Sequence, residues 1–166
     1  MDNNFHYIHD ESIKGGSTRL RPDFYLTRIN KDFNVILEVD ENQHRYGHYT
    51  RSSQNSQDPE IIELHRMVKL FFDMKKSNNL YNKLLFIRYN PHKFRSGLST
   101  LPSRMERMKV LKKFILSLQT KILPYRLSVI YFFYDNYPED CNIKPIGFEK
   151  TEDSLKISFD GKKFEI

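Results

Sequence analysis

The sequence predicts an α/β fold with a central mixed β-sheet flanked by α-helices, and three observations predict it. Strand-like and helix-like segments follow one another in the order β-β-β-α-β-α-β, with a β-hairpin at the end. Residues 33–40 are almost continuously apolar, as in a strand that is buried on both faces of a sheet. The 166 residues, 39% of them hydrophobic, suit a single domain with a real core.

Five strands and the terminal hairpin are predicted from apolar runs that are bounded by turn residues. The strands cover residues 5–9, 22–29, 33–40, 83–89 and 126–135. Asn30-Lys31-Asp32 forms the turn between the second and third strands. Asp160-Gly161 predicts a tight turn in a C-terminal hairpin over about residues 154–166.

Two helices are predicted from their first residues and their apolar stripes. Asp58 is the expected N-cap of the first helix and Pro59 its first residue. Ser103 begins the second helix, and Glu106 three residues later completes a capping box. The predicted stripes are Ile61, Leu64, Val68, Phe71 and Phe72 in the first helix, and Met108, Leu111, Ile115, Leu118 and Ile122 in the second.

The formal net charge of +6 favours a polyanionic partner, most simply nucleic acid, although a basic charge can also be incidental. Cys141 is the only cysteine, which excludes a disulfide within the chain and a cysteine-based zinc site. No apolar run is long enough to span a bilayer, and the N-terminus has no signal-peptide pattern. We therefore expect a soluble, intracellular protein (in the cytoplasm, the nucleus or a viral factory) with no membrane partner.

Three acids are expected to converge at one end of the predicted sheet. Glu38 and Asp40 are two residues apart on one strand, so both point to the same face. Asp23 begins the partner strand and can reach the same end. Such a carboxylate cluster suits a hard divalent cation such as Mg²⁺. The alternatives are that Glu38 and Asp40 lie on the solvated face of an edge strand and that Asp23 is a turn residue.

Metal-dependent phosphodiester cleavage also needs groups that orient water and hold phosphate. Gln43 or His44, just after the acids, could position water or transfer a proton, although His44 could equally be a solvated loop histidine. The loops at residues 41–57 and 91–101 could grip a nucleic-acid backbone. Candidate phosphate contacts are Arg21, Arg45, Arg51, Arg66, Lys93 and Arg95, with a solvated helix face as the alternative for Arg66.

The segments Arg21-Pro22-Asp23-Phe24 and Glu38-Val39-Asp40-x-x-Gln43-His44 together resemble the PD-(D/E)XK restriction-endonuclease-like superfamily. The branch that they resemble contains very-short-patch repair endonucleases and related homing endonucleases, with similar proteins in giant DNA viruses and protists. A helix bearing Arg66 and the later strand segments at residues 86–91 and 130–135 extend the resemblance over about residues 19–135, most of the chain, which is the expected core of the domain.

The resemblance implies a restriction-endonuclease-like core and a magnesium-dependent DNA endonuclease of homing or repair type, in which Mn²⁺ can substitute. Asp23 matches the metal-binding aspartate, Glu38 the first acid of the (D/E)-x-K element, and Gln43 and His44 the Gln-His of the branch. Asp40 stands where the usual lysine would be, so Gln43, His44 or a basic residue from elsewhere must activate water. DNA is the expected partner, and no small-molecule cofactor is expected. Whether the protein forms a homodimer is left open. The alternatives are a nucleic-acid-binding module that has lost catalysis and an interaction protein with incidental charge.

Overall fold

The structure is a computed structural model and describes residues 5–12, 19–41, 59–76, 82–93, 101–135 and 142–165. Six strands form one sheet in chain order, namely β1 (His6–His9), β2 (Phe24–Thr27), β3 (Asn34–Val39), β4 (Leu84–Tyr89), β5 (Leu127–Phe132) and β6 (Lys144–Pro145). The first three strands are antiparallel, β3, β4 and β5 are parallel, and β6 is antiparallel to β5. The prediction of an α/β fold with a mixed sheet is therefore confirmed.

The two helices connect the parallel strands and cover opposite faces of the sheet. Parallel neighbours need a crossover connection, which is usually helical. Helix α1 (Pro59–Lys76) packs on the face that carries Ile36 and Phe86. Helix α2 (Arg104–Ser117), followed by a short 3₁₀ helix (Leu118–Thr120), packs on the face that carries Val35. Strand β3 is thus buried between two apolar layers, as its continuous apolar run predicts.

The start of α2 is confirmed and part of its predicted apolar stripe is wrong. The Ser103 hydroxyl accepts a hydrogen bond from the Glu106 amide at 3.2 Å, and the Glu106 carboxylate accepts one from the Ser103 amide at 2.7 Å. Leu111, Ile115 and Leu118 are buried as predicted, but Met108 and Ile122 are 48% and 78% exposed. The reason is that Ile122 lies beyond the end of the helix and Met108 lines an open groove. The expected N-cap of α1, Asp58, lies outside the described residues.

The C-terminal hairpin is confirmed, but it belongs to a second sheet. Strands β7 (Gly147–Lys150), β8 (Leu155–Phe159) and β9 (Lys162–Glu165) form an antiparallel sheet of their own. Asp160 and Gly161 have φ angles of 48° and 79°, both positive as the Asp-Gly turn of a hairpin requires. Ile157 and Phe159 are buried in the same apolar cluster as α1. Among the described residues, no helix has the length and apolar character needed to cross a membrane.

Candidate active site

Asp23 and Glu38 meet on the α1 side of the sheet, where β2 begins and β3 ends. The antiparallel pairing of Phe24 with Leu37 continues to put Asp23 opposite Glu38. The Asp23 carboxylate accepts a hydrogen bond from the Val39 amide at 2.7 Å, which fixes its position beside β3. The predicted convergence of these two acids is therefore observed. Glu38 is 4% exposed, so the alternative of a solvated edge strand is excluded for it.

A guanidinium group from α1 neutralises part of this charge. Arg66 donates to the Glu38 carboxylate at 2.8 Å and to the Arg21 carbonyl oxygen at 2.8 Å. The same side chain thus links α1 to the segment before β2 and to the end of β3. Arg66 keeps 19% of its side chain exposed, so it stands at the boundary between the buried acids and solvent.

Asp40 is held differently, in a buried network. Arg88 donates to both Asp40 carboxylate oxygens, with a distance of 2.7 Å from Nη2 to Oδ1. The Tyr134 hydroxyl donates to Oδ2 of the same carboxylate. Asp40 and Arg88 are 1% and 3% exposed. Because both oxygens of Asp40 are engaged, the structure gives this residue the contacts of a structural anchor, and its predicted role as a metal ligand stays a prediction.

Glu63 of α1 joins the network through one of its two oxygens. Arg88 Nη1 donates to Glu63 Oε2 at 2.6 Å. The other oxygen, Oε1, is buried and has no hydrogen-bond partner in the described part of the chain. Buried polar atoms are normally satisfied, so an oxygen without a partner marks a place where a further group could bind. Among the described residues, three carboxyl groups, those of Glu38, Asp40 and Glu63, thus contact the two guanidinium groups of Arg66 and Arg88.

Burial dominates the protonation of the site. It raises the pKa of Glu38 from 4.5 to about 7, against the attraction of the Arg66 and Arg88 charges, and the nearby Asp23 charge raises it further. Burial also raises the pKa of Tyr134 well above its usual value, and the neighbouring Asp40 adds to the rise. Burial alone would lower the pKa of Arg88, but Asp40, Tyr134 and Glu63 keep it well above its usual value. Arg88 is therefore a permanent cation and Glu38 titrates near neutrality.

Two carboxylates, Asp23 and Glu38, fit a magnesium ion. Mg²⁺ is commonly held by one or two carboxylates together with substrate phosphates and water, rather than by a cage of protein ligands. Among the described residues, no three acidic, histidine or cysteine side chains are grouped so that they could hold a metal ion. The described site therefore supplies two carboxyl groups, fewer than a full set of protein ligands for a metal ion.

The remaining predicted site residues divide into exposed residues and residues outside the description. Arg21 and Lys93 are exposed, and Arg21 lies at the acid site through its carbonyl oxygen. The other predicted site residues lie outside the described residues, so their roles in orienting water or contacting phosphate stay predictions. They are Gln43, His44, Arg45, Arg51 and Arg95.

Sequence reasoning missed Glu63, Arg88 and Tyr134 as parts of the site. One signal was present, since Arg88 interrupts the otherwise apolar run 84–89 and a buried cation needs an acidic partner. Tyr134 is aimed at Asp40 from just after β5, where Phe133 has a φ angle of 65°. A positive φ at a phenylalanine has no sequence signature.

Comparisons with protein families, with characterised proteins and with solved structures gave no match to this chain.

Proposed function

We propose that the protein is a metal-dependent DNA endonuclease with a restriction-endonuclease-like core. The observation that carries the proposal is the meeting of Asp23 and Glu38 on adjacent strands of a mixed sheet, with burial raising the Glu38 pKa to about 7. Carboxyl groups with raised pKa values at the edge of a core are typical of functional sites. The net charge of +6 suits a polyanionic substrate.

In this proposal Asp23 and Glu38 hold Mg²⁺, or Mn²⁺ in its place. The bound cation would make water a stronger nucleophile and neutralise charge on the phosphate. Arg66 offsets the charge of Glu38, and its partly exposed guanidinium group supplies a positive contact for a phosphate oxygen. Asp40, Arg88 and Tyr134 position the end of β3 through their buried hydrogen bonds.

The reaction is hydrolysis of a phosphodiester bond. One water molecule adds across a P–O bond, so its oxygen bonds to phosphorus and the departing deoxyribose oxygen takes up a proton. Gln43 and His44 lie four and five residues after the end of β3 in the sequence and are the proposed groups for orienting the water or the scissile phosphate.

The experiment is cleavage of supercoiled plasmid and of single-stranded DNA by the parent and by Asp23→Asn. Asparagine keeps an oxygen for the Val39 amide but loses the charge that a cation needs. We expect the variant to lose cleavage by at least about a hundredfold while binding DNA as the parent does. The matched control is Asp32→Asn, at an exposed aspartate in the turn before β3. Equal cleavage by the parent and Asp23→Asn would contradict the role of Asp23 as a ligand of the catalytic metal.

A second candidate is a nucleic-acid-binding module of the same fold without catalysis. The observation that favours it is that Arg66 and Arg88 already neutralise Glu38 and Asp40. It predicts salt-dependent DNA binding in EDTA and no cleavage with either metal. Failure to retain DNA or RNA at low salt would instead favour an interaction protein whose basic charge is incidental.

A further inference from the structure

The α2 side of the sheet carries a groove that the acid site does not use. It has a volume of about 1110 Å³ and lies between the first three strands, the end of β4 and α2. Leu37 and Val39 line it, and these residues alternate along β3 with Glu38 and Asp40. The groove and the acid site therefore lie on opposite faces of the same strand end.

The groove combines aromatic walls with a basic rim. Phe5, Tyr7, Phe24 and Tyr89 line it, and Tyr7, whose ring meets Phe24 edge-on with centroids 5.5 Å apart, is 57% exposed. Arg104 and Lys112 of α2 also line it. Over residues 104–113, α2 carries five basic residues and one acid, and that acid, Glu106, is engaged in the capping box. One acid, Glu41, lies among the lining residues.

Tyr89, one of the residues that line this groove, has a buried hydroxyl. Tyr89 is 3% exposed, and its hydroxyl has no hydrogen-bond partner among the described residues. Burial raises the pKa of Tyr89 above its usual value, against the positive charges of Arg107 and Arg104, so the hydroxyl keeps its proton. An unsatisfied buried hydroxyl is uncommon and requires an explanation. A ligand with a hydrogen-bonding edge would provide one.

We propose that this groove binds an unpaired stretch of nucleic acid, with bases stacked on Tyr7 and the neighbouring rings, a base edge at the Tyr89 hydroxyl, and phosphates along Arg104 and Lys112. Aromatic platforms beside basic residues are the usual means of holding single strands, because every base has a face that can stack. A duplex hides these faces within its own stack and offers no use for the aromatic wall. The volume of about 1110 Å³ lies near the upper end of the range of roughly 300–1,000 Å³ for ligand sites, so the groove has room for a ligand as large as a nucleotide.

The proposal concerns binding alone, so it stands or falls independently of the cleavage proposal. The test is fluorescence anisotropy of labelled oligothymidylate, oligouridylate and a duplex of equal length, at low salt in EDTA. We expect the single strands to bind more tightly than the duplex. Tyr7→Ala should weaken single-strand binding about tenfold, and Arg104→Glu should weaken it at least as much. The controls are Tyr125→Ala, a 45% exposed tyrosine just before β5, and Lys31→Glu, at an exposed lysine in the turn before β3.

Tyr89→Phe gives the sharpest readout because it removes only the hydroxyl. A residue with a merely structural role would leave binding unchanged. We expect binding to weaken by about three- to tenfold while stability to urea is kept or raised, since no partner of the hydroxyl is lost among the described residues. If Tyr89→Phe binds both oligothymidylate and oligouridylate more weakly, the site does not distinguish the two sugars. If only one of them binds more weakly, that result identifies DNA or RNA as the ligand. The proposal is overturned if no single strand binds at low salt, if the duplex binds as tightly as the single strands, or if Tyr7→Ala and Tyr89→Phe bind like the controls.

Discussion

The two faces of the sheet at the end of β3 differ in how their charges are held. On the α1 face, Glu38 and Asp40 are buried and joined to Arg66 and Arg88. On the α2 face, the cations Arg104 and Lys112 are exposed around an apolar groove, and a buried tyrosine hydroxyl has no partner among the described residues. The alternation of one strand separates the two environments.

Substitutions on the two faces should therefore have different effects. Removing one member of a buried ion pair leaves its partner charged and dehydrated, so changes on the α1 face should act on stability as well as on activity. Exposed aromatic and basic residues contribute little to folding, so changes on the α2 face should act on binding. Three variants test this division, from the largest expected effect to the smallest.

Arg88→Met should have the largest effect on stability. It removes the only cation that contacts both Asp40 and Glu63 among the described residues and leaves two carboxyl groups in the core. We expect the free energy of unfolding to fall by about 3–5 kcal/mol, measured by urea denaturation. Arg104→Met, at an exposed arginine on the other face, should change it by less than about 0.5 kcal/mol. A loss of under about 1 kcal/mol for Arg88→Met would show that the network is not buried as described.

Glu38→Gln should change how stability depends on pH. The folded protein keeps the Glu38 proton up to about pH 7, whereas the unfolded chain releases it near 4.5. The folded state therefore gains stability at low pH and loses it as pH rises to about 7, by roughly 3 kcal/mol. An amide does not titrate, so unfolding of the variant from about pH 5 to about pH 8 should show a flatter profile. Glu149→Gln, at an exposed glutamate of β7, should keep the parent's slope, and equal slopes for both variants would contradict the raised pKa.

Arg107→Met should have the smallest of these effects and should act on both stability and binding. Arg107 is buried in α2 and donates to the carbonyl oxygens of Pro91 at 2.9 Å and His92 at 2.5 Å, two residues that line the groove. We expect a loss of about 1.5–3 kcal/mol in urea denaturation, with weaker binding of oligothymidylate. Lys109→Met, at an exposed lysine two residues later, is the matched control. If Arg107→Met loses stability but binds oligothymidylate like the parent, the hydrogen bonds of Arg107 do not shape the binding groove.

Most of the fold could be predicted from short sequence patterns, each of which involves only neighbouring residues. The capping box at Ser103 and the Asp160-Gly161 turn each depend on neighbouring residues, and both are observed. Strands β6 and β7 were missed, because the first has two residues and the second shows no clear alternation of buried and exposed positions. The predicted apolar stripe of α2 wrongly includes Met108 and Ile122. Periodicity alone shows neither which apolar residues face an open groove nor where the helix ends.

In the candidate site, too, some residues could be predicted from the sequence and others could not. Asp23 and Glu38 could be predicted because strand pairing converts their spacing into proximity. The partners of Asp40 could not be predicted, because Arg88 and Tyr134 are 48 and 94 residues away from it in sequence. Burial and long-range pairing decide whether an acid is poised for chemistry or held as an anchor, and both arise only when the sheet is assembled.

The most direct test of the central claim is cleavage of supercoiled plasmid by the parent and by Glu38→Gln in Mg²⁺, Mn²⁺ or EDTA. We expect the parent to cut with either metal and to stop cutting in EDTA, and we expect Glu38→Gln not to cut. Equal cutting by the variant, or cutting by the parent that persists in EDTA, would contradict a metal site at Asp23 and Glu38.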